Sequence, residues 1–327
     1  MKPPMPSSEP LVIHDHPVDP GGQAVIRIPV GRLPSGNQVQ IRVHVFRSDQ
    51  PGPVVLFLAG VHGDEVNGVE IVRQALRQRQ FDDLLKGTVI AIPVLNLYGF
   101  NHFTREVPDG KDVNRSFPGS VSGSLASRLA GTISKKILPH IDFGVDFHTG
   151  GRSHYNYPQL RFSPEDERAA RLAALFAAPF TLVKRPMRRS LRKIAQDQSK
   201  SMLVFEGGEN NRIDPFPIEI GLNGMSRLLY HHGMLGDPPG LPAGPQSLVF
   251  EHSTWLRAPR AGIFRRRKDA GQGVAKGEIL GLIGDPFGQE VRPVLARHNA
   301  YILGHNNAPI VSQGDALFHL GHSDHRA

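Results

Sequence analysis

The sequence predicts an α/β protein, in which helices cover a β-sheet, followed by a smaller all-β region. Two observations support this prediction. Between residues 23 and 205, short apolar or alternating runs typical of strands alternate with runs whose apolar residues recur at helical spacing. Beyond a segment at 236–245 that is rich in Pro and Gly, helical periodicity disappears, and short β-like runs are separated by glycine turns.

The elements of the first part can be assigned in chain order. Alternation of polar and apolar residues marks 38–46 as a strand, and the apolar run at 54–58 is typical of a buried strand. In the helix that follows, Val69, Val72 and Leu76 share one face. The predicted elements are strands at 23–30 and 38–46 around a turn at 34–37, a strand at 54–58, a helix at 67–79, a strand at 88–94, a helix at 125–138, a strand at 143–147, a helix at 165–178, and strands at 180–183 and 202–205.

The change in composition predicts how the chain is divided. We expect a loose tail at 1–20, a large α/β domain at 21–235, a linker at 236–247 and a small β-barrel or sandwich at 248–321. The last six residues are expected to fray. Within the small domain, the β-like runs are 262–264, 271–274, 277–284 and 300–304.

Composition excludes several classes of function. The net charge of +8 comes partly from basic clusters at 184–193 and 265–268, which lack interleaved aromatic residues. We therefore expect a solvated basic surface, or a field that draws in anionic small molecules, and no nucleic-acid partner. No apolar stretch approaches the roughly 18 residues of a membrane helix, and no signal-peptide core is present, so we expect a cytoplasmic protein without a membrane partner. A homo-oligomer is left open.

The segment Leu58–Asn67 is the most informative part of the chain. It places His62 and Glu65 three positions apart, where the strand at 54–58 turns into a helix. Because the chain has no cysteine, any metal must be held by His, Asp or Glu, and an imidazole with a carboxylate is a zinc pair. The alternative is a turn histidine beside an acid at the N-terminus of the helix.

A second histidine follows the strand at 143–147. His148 matches His62 in position at the end of its own strand, and open α/β sheets bind ligands at this edge. His62, Glu65 and His148 then form the two-imidazole, one-carboxylate set of a catalytic zinc site. Asp146 is a candidate to orient one ligand, or else faces away from the site. The alternative third ligand is His154.

The long loop at 105–119 has no periodicity, which is typical of a functional loop. Arg115 can grip a substrate carboxylate through two hydrogen bonds, and Asn114 can add a directional amide. Arg105 is a candidate to stabilise an oxyanion. The alternative is a solvated loop in which the arginines pair with Asp109 and Asp112.

The strand at 202–205 ends at Glu206, beside glycines that leave room for a ligand. Amide hydrolysis at a zinc ion needs a carboxylate that takes a proton from water and delivers it to the leaving amine. Glu206 suits this role, and Glu209 is the competing candidate. The alternative for both is an acid placed at the start of a helix.

Four motifs, in this order, resemble the succinylglutamate desuccinylase/aspartoacylase family of the zinc carboxypeptidase clan. The resemblance implies an α/β fold with a mixed β-sheet sandwiched by helices, and a C-terminal domain similar to a biotinyl/lipoyl β-barrel. No Asp-Lys or Met-Lys hairpin marks an attachment lysine, so we expect no carrier role. The motifs are His62-Gly63-Asp64-Glu65, the segment Asp112–Gly119, Phe147-His148 and Glu206.

The resemblance also implies residue roles and an activity. The activity is a zinc-dependent amidohydrolase that removes a small acyl group from an N-acylated amino acid or a similar carboxylated amine. A metallocarboxypeptidase acting on peptides and a non-catalytic binding protein with a degenerate site remain as alternatives. The implied roles are one Zn²⁺ per chain held by His62, Glu65 and His148, Glu206 as general base and acid, Arg105 as carbonyl polariser, and Asn114 with Arg115 as carboxylate anchor.

Overall fold

The computed structural model describes residues 9–32, 35–236 and 241–322. A short 3-10 turn lies at Val113–Arg115, and a π turn at Ile133–Ile137 and a 3-10 turn at Leu138–His140 directly follow the helix that ends at Thr132. The strands are β1 (Leu11–Ile13), β2 (His16–Val18), β3 (Gln23–Arg32), β4 (Gln38–Arg47), β5 (Val54–Ala59), β6 (Thr88–Ile92), β7 (Phe143–Gly150), β8 (His154–Phe162), β9 (Phe180–Val183), β10 (Ser201–Glu209), β11 (Leu248–Phe250), β12 (His252–Arg257), β13 (Gly262–Arg266), β14 (Gly273–Val274), β15 (Ile279–Gly284), β16 (Val291–Leu295), β17 (Ala300–Asn306), β18 (Ile310–Val311) and β19 (Ala316–His322). The helices are α1 (Val66–Arg77), α2 (Leu97–His102), α3 (Leu125–Thr132), α4 (Glu167–Phe176), α5 (Leu191–Asp197) and α6 (Pro215–His231).

A large mixed β-sheet forms the centre of the protein. Its strands run in the order β12-β19-β17-β8-β10-β7-β5-β6-β4-β3, and β9, β11 and β14 pair beside this path. The central strands β10, β7, β5 and β6 are parallel to one another. On either side of them the pairing is antiparallel, because β8 is antiparallel to β10, β4 to β6, and β3 to β4. The predicted α/β fold with a mixed sheet is therefore confirmed.

Helices cover both faces of this sheet, and β5 shows why its sequence is apolar throughout. Leu56 and Leu58 belong to one apolar cluster, which includes Leu129 of α3. Phe57 points to the opposite face and joins a second cluster with Ile71 of α1. Because both faces are buried, the strand is a continuous apolar run without polar alternation.

Several elements have no clear sequence signal, and α6 is the longest of them. Its sequence begins at Pro215 and includes two glycines, which lower helix propensity. Tertiary packing explains these glycines: a Cβ on Gly224 would lie 2.2 Å from the ring of Phe176 in α4, and one on Gly221 would lie 2.5 Å from Ile71 in α1. Close helix contacts therefore override the weak local preference.

The N-terminal segment differs from the predicted tail. Residues 1–8 lie outside the described residues, but β1 and β2 pair as an antiparallel hairpin. Leu11, Ile13 and Val18 from this hairpin are buried in the first apolar cluster. These three buried apolar side chains thus anchor the segment, although each strand is too short to be recognised in the sequence.

The C-terminal region combines two arrangements. Strands β16-β15-β13-β18 form a separate antiparallel sheet, and Phe264 and Leu280 from it pack against Phe318 of β19. Strands β12, β17 and β19 instead extend the central sheet, because β17 pairs with β8 at Gly304 and Asn156. Of the predicted linker, residues 237–240 lie outside the described residues, and the proposed boundaries at 235 and 248 stay a prediction. Within the described parts of the chain, no helix combines the length and the apolar character needed to cross a membrane.

Candidate active site

Two histidines and a glutamate converge at the C-terminal edge of the parallel strands. His62 follows β5, Glu65 directly precedes α1, and His148 lies within β7, which pairs with β5. The carboxylate of Glu65 bridges the two rings: Oε1 lies 2.8 Å from His62 Nδ1, and Oε2 lies 2.7 Å from His148 Nδ1. All three side chains are buried, and one ligand atom from each lies within 4.8 Å of the others. The predicted residues are thus brought together.

Two further carboxylates hold the outer nitrogens of the histidine rings. Asp146 Oδ2 lies 2.8 Å from His148 Nε2, and Asp112 Oδ1 lies 3.1 Å from His62 Nε2. A carboxylate on the outer nitrogen fixes ring orientation and tautomer, as it does for metal-bound histidines. Both rings therefore direct Nδ1 toward Glu65. Of the two alternatives for Asp146, the structure favours the orienting one.

Electrostatics keep the central carboxylate ionised. Burial by itself would raise the pKa of Glu65, but the imidazoles of His62 and His148 outweigh it and hold this pKa well below its usual range. Burial lowers the pKa of His148, whereas Asp146 and Glu65 raise it well above its usual value. A cation that binds here would therefore compete with protons for the imidazole nitrogens.

The charge balance and the donor atoms fit a divalent metal ion. Glu65, Asp112 and Asp146 bring three negative charges to this largely buried cluster, and Arg105 brings one positive charge. Protonated imidazoles can balance the remaining two negative charges, in line with the raised pKa values of His62 and His148. Metal ligation requires neutral imidazoles, and then two negative charges are left without compensation, which is unfavourable away from water. A dication would supply the missing charge. Two imidazole nitrogens and one carboxylate oxygen are a ligand set of catalytic zinc sites, so the residues fit this ion.

Arg105 lies beside this cluster. Its Nη1 is 3.0 Å from Glu65 Oε1, and its Nη2 is 3.0 Å from Asp112 Oδ2. Asp112 therefore pairs with Arg105, as the alternative of a solvated loop expected, and it also contacts His62. The guanidinium also lines the cavity described below, so a role on a substrate carbonyl stays a prediction that the position allows.

Asn114 and Arg115 lie in the 3-10 turn at Val113–Arg115, with Asp112 accepting a hydrogen bond from the backbone N–H of Asn114. Oδ1 of Asn114 accepts a hydrogen bond of 2.9 Å from the backbone N–H of Leu191, so its amide group Nδ2 can donate elsewhere. The exposed Arg115 donates to the backbone carbonyl of Asn114. Both side chains line the cavity, so an anion bound there could accept hydrogen bonds from the amide of Asn114 and from the guanidinium of Arg115.

The two candidate bases occupy different surroundings. Glu206 lines the cavity, with Oε1 3.0 Å from Arg161 Nη1 and Oε2 accepting a 2.9 Å hydrogen bond from Asn156 Nδ2. Oε2 of Glu209 accepts a hydrogen bond from Asn307 instead, and Glu209 is absent from the residues that line the cavity in the described part of the chain. This geometry favours Glu206 over Glu209.

One cavity of about 300 Å³ connects these groups. Several residues that line this cavity were not predicted, because they lie in elements without a clear sequence pattern. Asn156 and Arg161 belong to β8, whose polar residues and central proline hide the strand. The ring nitrogens of His154, the alternative ligand, face backbone carbonyl oxygens that can accept from them: Nδ1 lies 3.1 Å from Gly151 O, and Nε2 lies 3.2 Å from Ala316 O. His154 does not join the group formed by His62, Glu65 and His148. The other missed residues are Met187, Arg192 and Trp255.

Comparison with protein families agrees with this geometry. A family model described as the succinylglutamate desuccinylase/aspartoacylase catalytic domain matches residues 51–232, which include all the candidate site residues. The chain belongs to this family. The resemblance inferred from the four motifs is thereby confirmed.

Three known proteins are similar to nearly the whole chain. An N-alpha-acetyl-L-2,4-diaminobutyric acid deacetylase from Halomonas elongata is 25% identical over 305 residues, which cover 89% of each protein. The crystal structure of a succinylglutamate desuccinylase/aspartoacylase from Rhodobacter sphaeroides is 28% identical, with a TM-score of 0.84, and covers 97% of this chain and 100% of its own. A product-bound structure of the ectoine utilization protein EutE (DoeB) from Ruegeria pomeroyi shares the fold, with 23% identity, a TM-score of 0.83, and coverage of 96% of this chain and 99% of its own.

Proposed function

We propose that this protein is a zinc-dependent deacylase, which hydrolyses the amide bond between a small acyl group and an amine that carries a carboxylate. The observation that supports it best is one cavity that contains both the His62, Glu65 and His148 cluster and the carboxylate of Glu206. Family membership and the deacetylase from Halomonas elongata support the same reaction class.

The proposed roles follow from the chemistry of each side chain. When bound by His62, Glu65 and His148, zinc would supply Lewis acidity and make attacking water more acidic. Glu206 takes a proton from this water as the water oxygen bonds to the carbonyl carbon, and then delivers the proton to the amine nitrogen as the C–N bond breaks, so that a carboxylic acid and an amine are formed. Arg105 donates hydrogen bonds to the carbonyl oxygen as negative charge develops there.

Charge in the cavity supports a carboxylated substrate. Neither Arg115 nor Arg192 has a carboxylate within ion-pair distance among the described residues, and both line the cavity. Burial, and then the neighbouring Arg161, lower the pKa of Arg192 to about 10, which leaves it cationic at neutral pH. In the proposal, Arg115 and the amide of Asn114 hold the substrate carboxylate, because a guanidinium can bind both of its oxygens.

The shape of the cavity supports a small substrate over a peptide. Its volume of about 300 Å³ is at the lower end of the range for small-molecule sites. Trp255 from the C-terminal strand β12 forms part of its wall, where it stacks on His319 with ring centroids 4.5 Å apart. Trp255 therefore limits the space that a substrate can occupy on this side of the cavity.

A substrate screen with zinc-loaded protein tests the proposal. The panel contains N-acetyl, N-formyl and N-succinyl amino acids, with Nα-acetyl-2,4-diaminobutyrate included because the relative from Halomonas elongata is named for it, and short peptides as the comparison. We expect hydrolysis of at least one acyl amino acid and none of the peptides. Cleavage of peptides alone would favour a carboxypeptidase, and a protein that takes up no zinc would contradict an enzymatic role.

A further inference from the structure

Side chains of the neighbouring strand β8 contact both carboxylate oxygens of Glu206. We infer that Arg161 and Asn156 are positioning residues, which fix this carboxylate in the orientation from which it exchanges protons with water and the leaving amine. The inference rests on the proposed function, because it takes Glu206 as the base.

The register between β8 and β10 explains why these side chains converge. Arg161 pairs with Val204, two residues before Glu206, so it lies diagonally across from Glu206 on the same face of the sheet. Beyond Glu206 the register shifts, and β8 advances by one residue more than β10 before Asn156 is paired. Because side chains alternate along a strand, this bulge turns Asn156 to the same face as Glu206. The bulge thus places Asn156 on the same face of the sheet as Arg161 and Glu206.

The contacts hold the carboxylate without blocking it. Arg161 Nη1 lies 3.0 Å from Oε1 of Glu206, and Asn156 Nδ2 donates to Oε2 over 2.9 Å. The exposed fractions of the two charged side chains are 25% for Arg161 and 13% for Glu206, so water screens the pair only weakly. A carboxylate has about four acceptor positions, so each oxygen can still accept a hydrogen from water.

Arg161 is the charged group that touches Glu206, whereas other cations act on it from farther away. Arg105 and Arg192 also interact electrostatically with Glu206, but neither forms an ion pair with it in the described structure. Arg161 itself donates no hydrogen bond through Nε, which is buried without a partner in the described structure. Replacing Arg161 therefore removes a fixed contact and one of three nearby positive charges, while the other two remain.

Kinetics of matched variants test the inference. For Arg161→Gln and Asn156→Ala we expect kcat to fall roughly 10- to 100-fold, as for a misplaced catalytic group, with KM changed less than about threefold. Arg161→Lys should recover much of kcat because it restores the charge. Arg73→Gln is the control, since it breaks the surface ion pair with Glu70 and should leave all values unchanged.

Several results would overturn the inference. One is a fall in kcat of less than threefold in both Arg161→Gln and Asn156→Ala. Another is a large rise in KM with kcat preserved in Arg161→Gln, which would make Arg161 a substrate-binding residue. Zinc content and crystal structures of the same variants provide readouts besides activity: we expect unchanged zinc and a rotated or disordered Glu206 side chain. If Glu206→Gln remains fully active, the proposed function fails. If Glu206→Gln is inactive while Arg161 and Asn156 are dispensable, only this inference fails.

Discussion

The hydrogen bond between Asp146 and His148 gives a quantitative prediction for metal affinity. In Asp146→Asn the side chain keeps its shape but loses the negative charge that lies 2.8 Å from His148 Nε2 in a buried site. Hydrogen bonds to a charged group contribute about 1.5 to 3 kcal/mol, which corresponds to a factor of roughly 10 to 150 in a binding constant. Removal of such a partner typically weakens metal binding about 10- to 100-fold. We therefore expect zinc affinity to fall by one to two orders of magnitude.

Competition with a chromogenic zinc chelator measures this change directly. The matched control is Asp82→Asn, which removes a carboxylate that pairs with Arg79 at the surface and should leave zinc affinity unchanged. At saturating zinc, Asp146→Asn should regain most of its activity, because the ligands themselves are intact. An unchanged dissociation constant would refute the claim that Asp146 orients His148. Stoichiometric zinc in His148→Ala would show that the third ligand lies elsewhere.

Four further predictions concern other groups. Glu206→Gln should lower kcat by roughly 10²- to 10⁴-fold with full zinc content, whereas Glu209→Gln should stay near wild type in the same steady-state assay. Arg115→Ala should raise KM roughly 10- to 100-fold for acyl amino acids but not for analogues whose carboxylate is amidated, and an equal effect on both would contradict the anchor role. Arg227→Met should reduce the free energy of unfolding by about 1 to 3 kcal/mol in denaturant titrations, because its guanidinium satisfies buried backbone carbonyls at the end of α4; an unchanged midpoint would disprove this. Burial, and then the positive charge of Arg266, lower the pKa of His305 in the folded protein to about 3. In the unfolded chain this histidine has its usual pKa, so between that value and about pH 3 the unfolded chain binds more protons than the folded protein does. Stability should therefore be lost as pH falls through this window, by up to about 1.4 kcal/mol per pH unit, and the loss should be smaller in His305→Phe.

The catalytic half of the fold was predictable because its sequence signals are local. The apolar runs of β5, β7 and β10 each end at a residue that the structure brings to one cavity, namely His62, His148 and Glu206. Parallel neighbours share an edge, so the proximity of these residues follows once the strands are recognised. The spacing of His62 and Glu65 likewise fixes their position at the start of α1.

The supporting residues were not predictable because they depend on pairing between strands. Asp146 could be assigned two opposite orientations from the sequence, and only its contact with His148 decides between them. Asn156 reaches Glu206 through a bulge in β8, and local periodicity does not report such a shift of register. The side chains that contact His148 and Glu206 are therefore harder to predict than His148 and Glu206 themselves.

The C-terminal region shows the same limit on a larger scale, and it has a consequence for how the site is built. Its glycine-rich runs predict a small β-domain, yet no local pattern indicates that β17 pairs with β8, on the opposite edge from β10. β8 carries Asn156 and Arg161, which contact Glu206, so the C-terminal strands extend the sheet from the strand that holds these residues, and β12 adds Trp255 to the cavity wall. The α/β part and the C-terminal part thus share one sheet, and residues of both line the cavity.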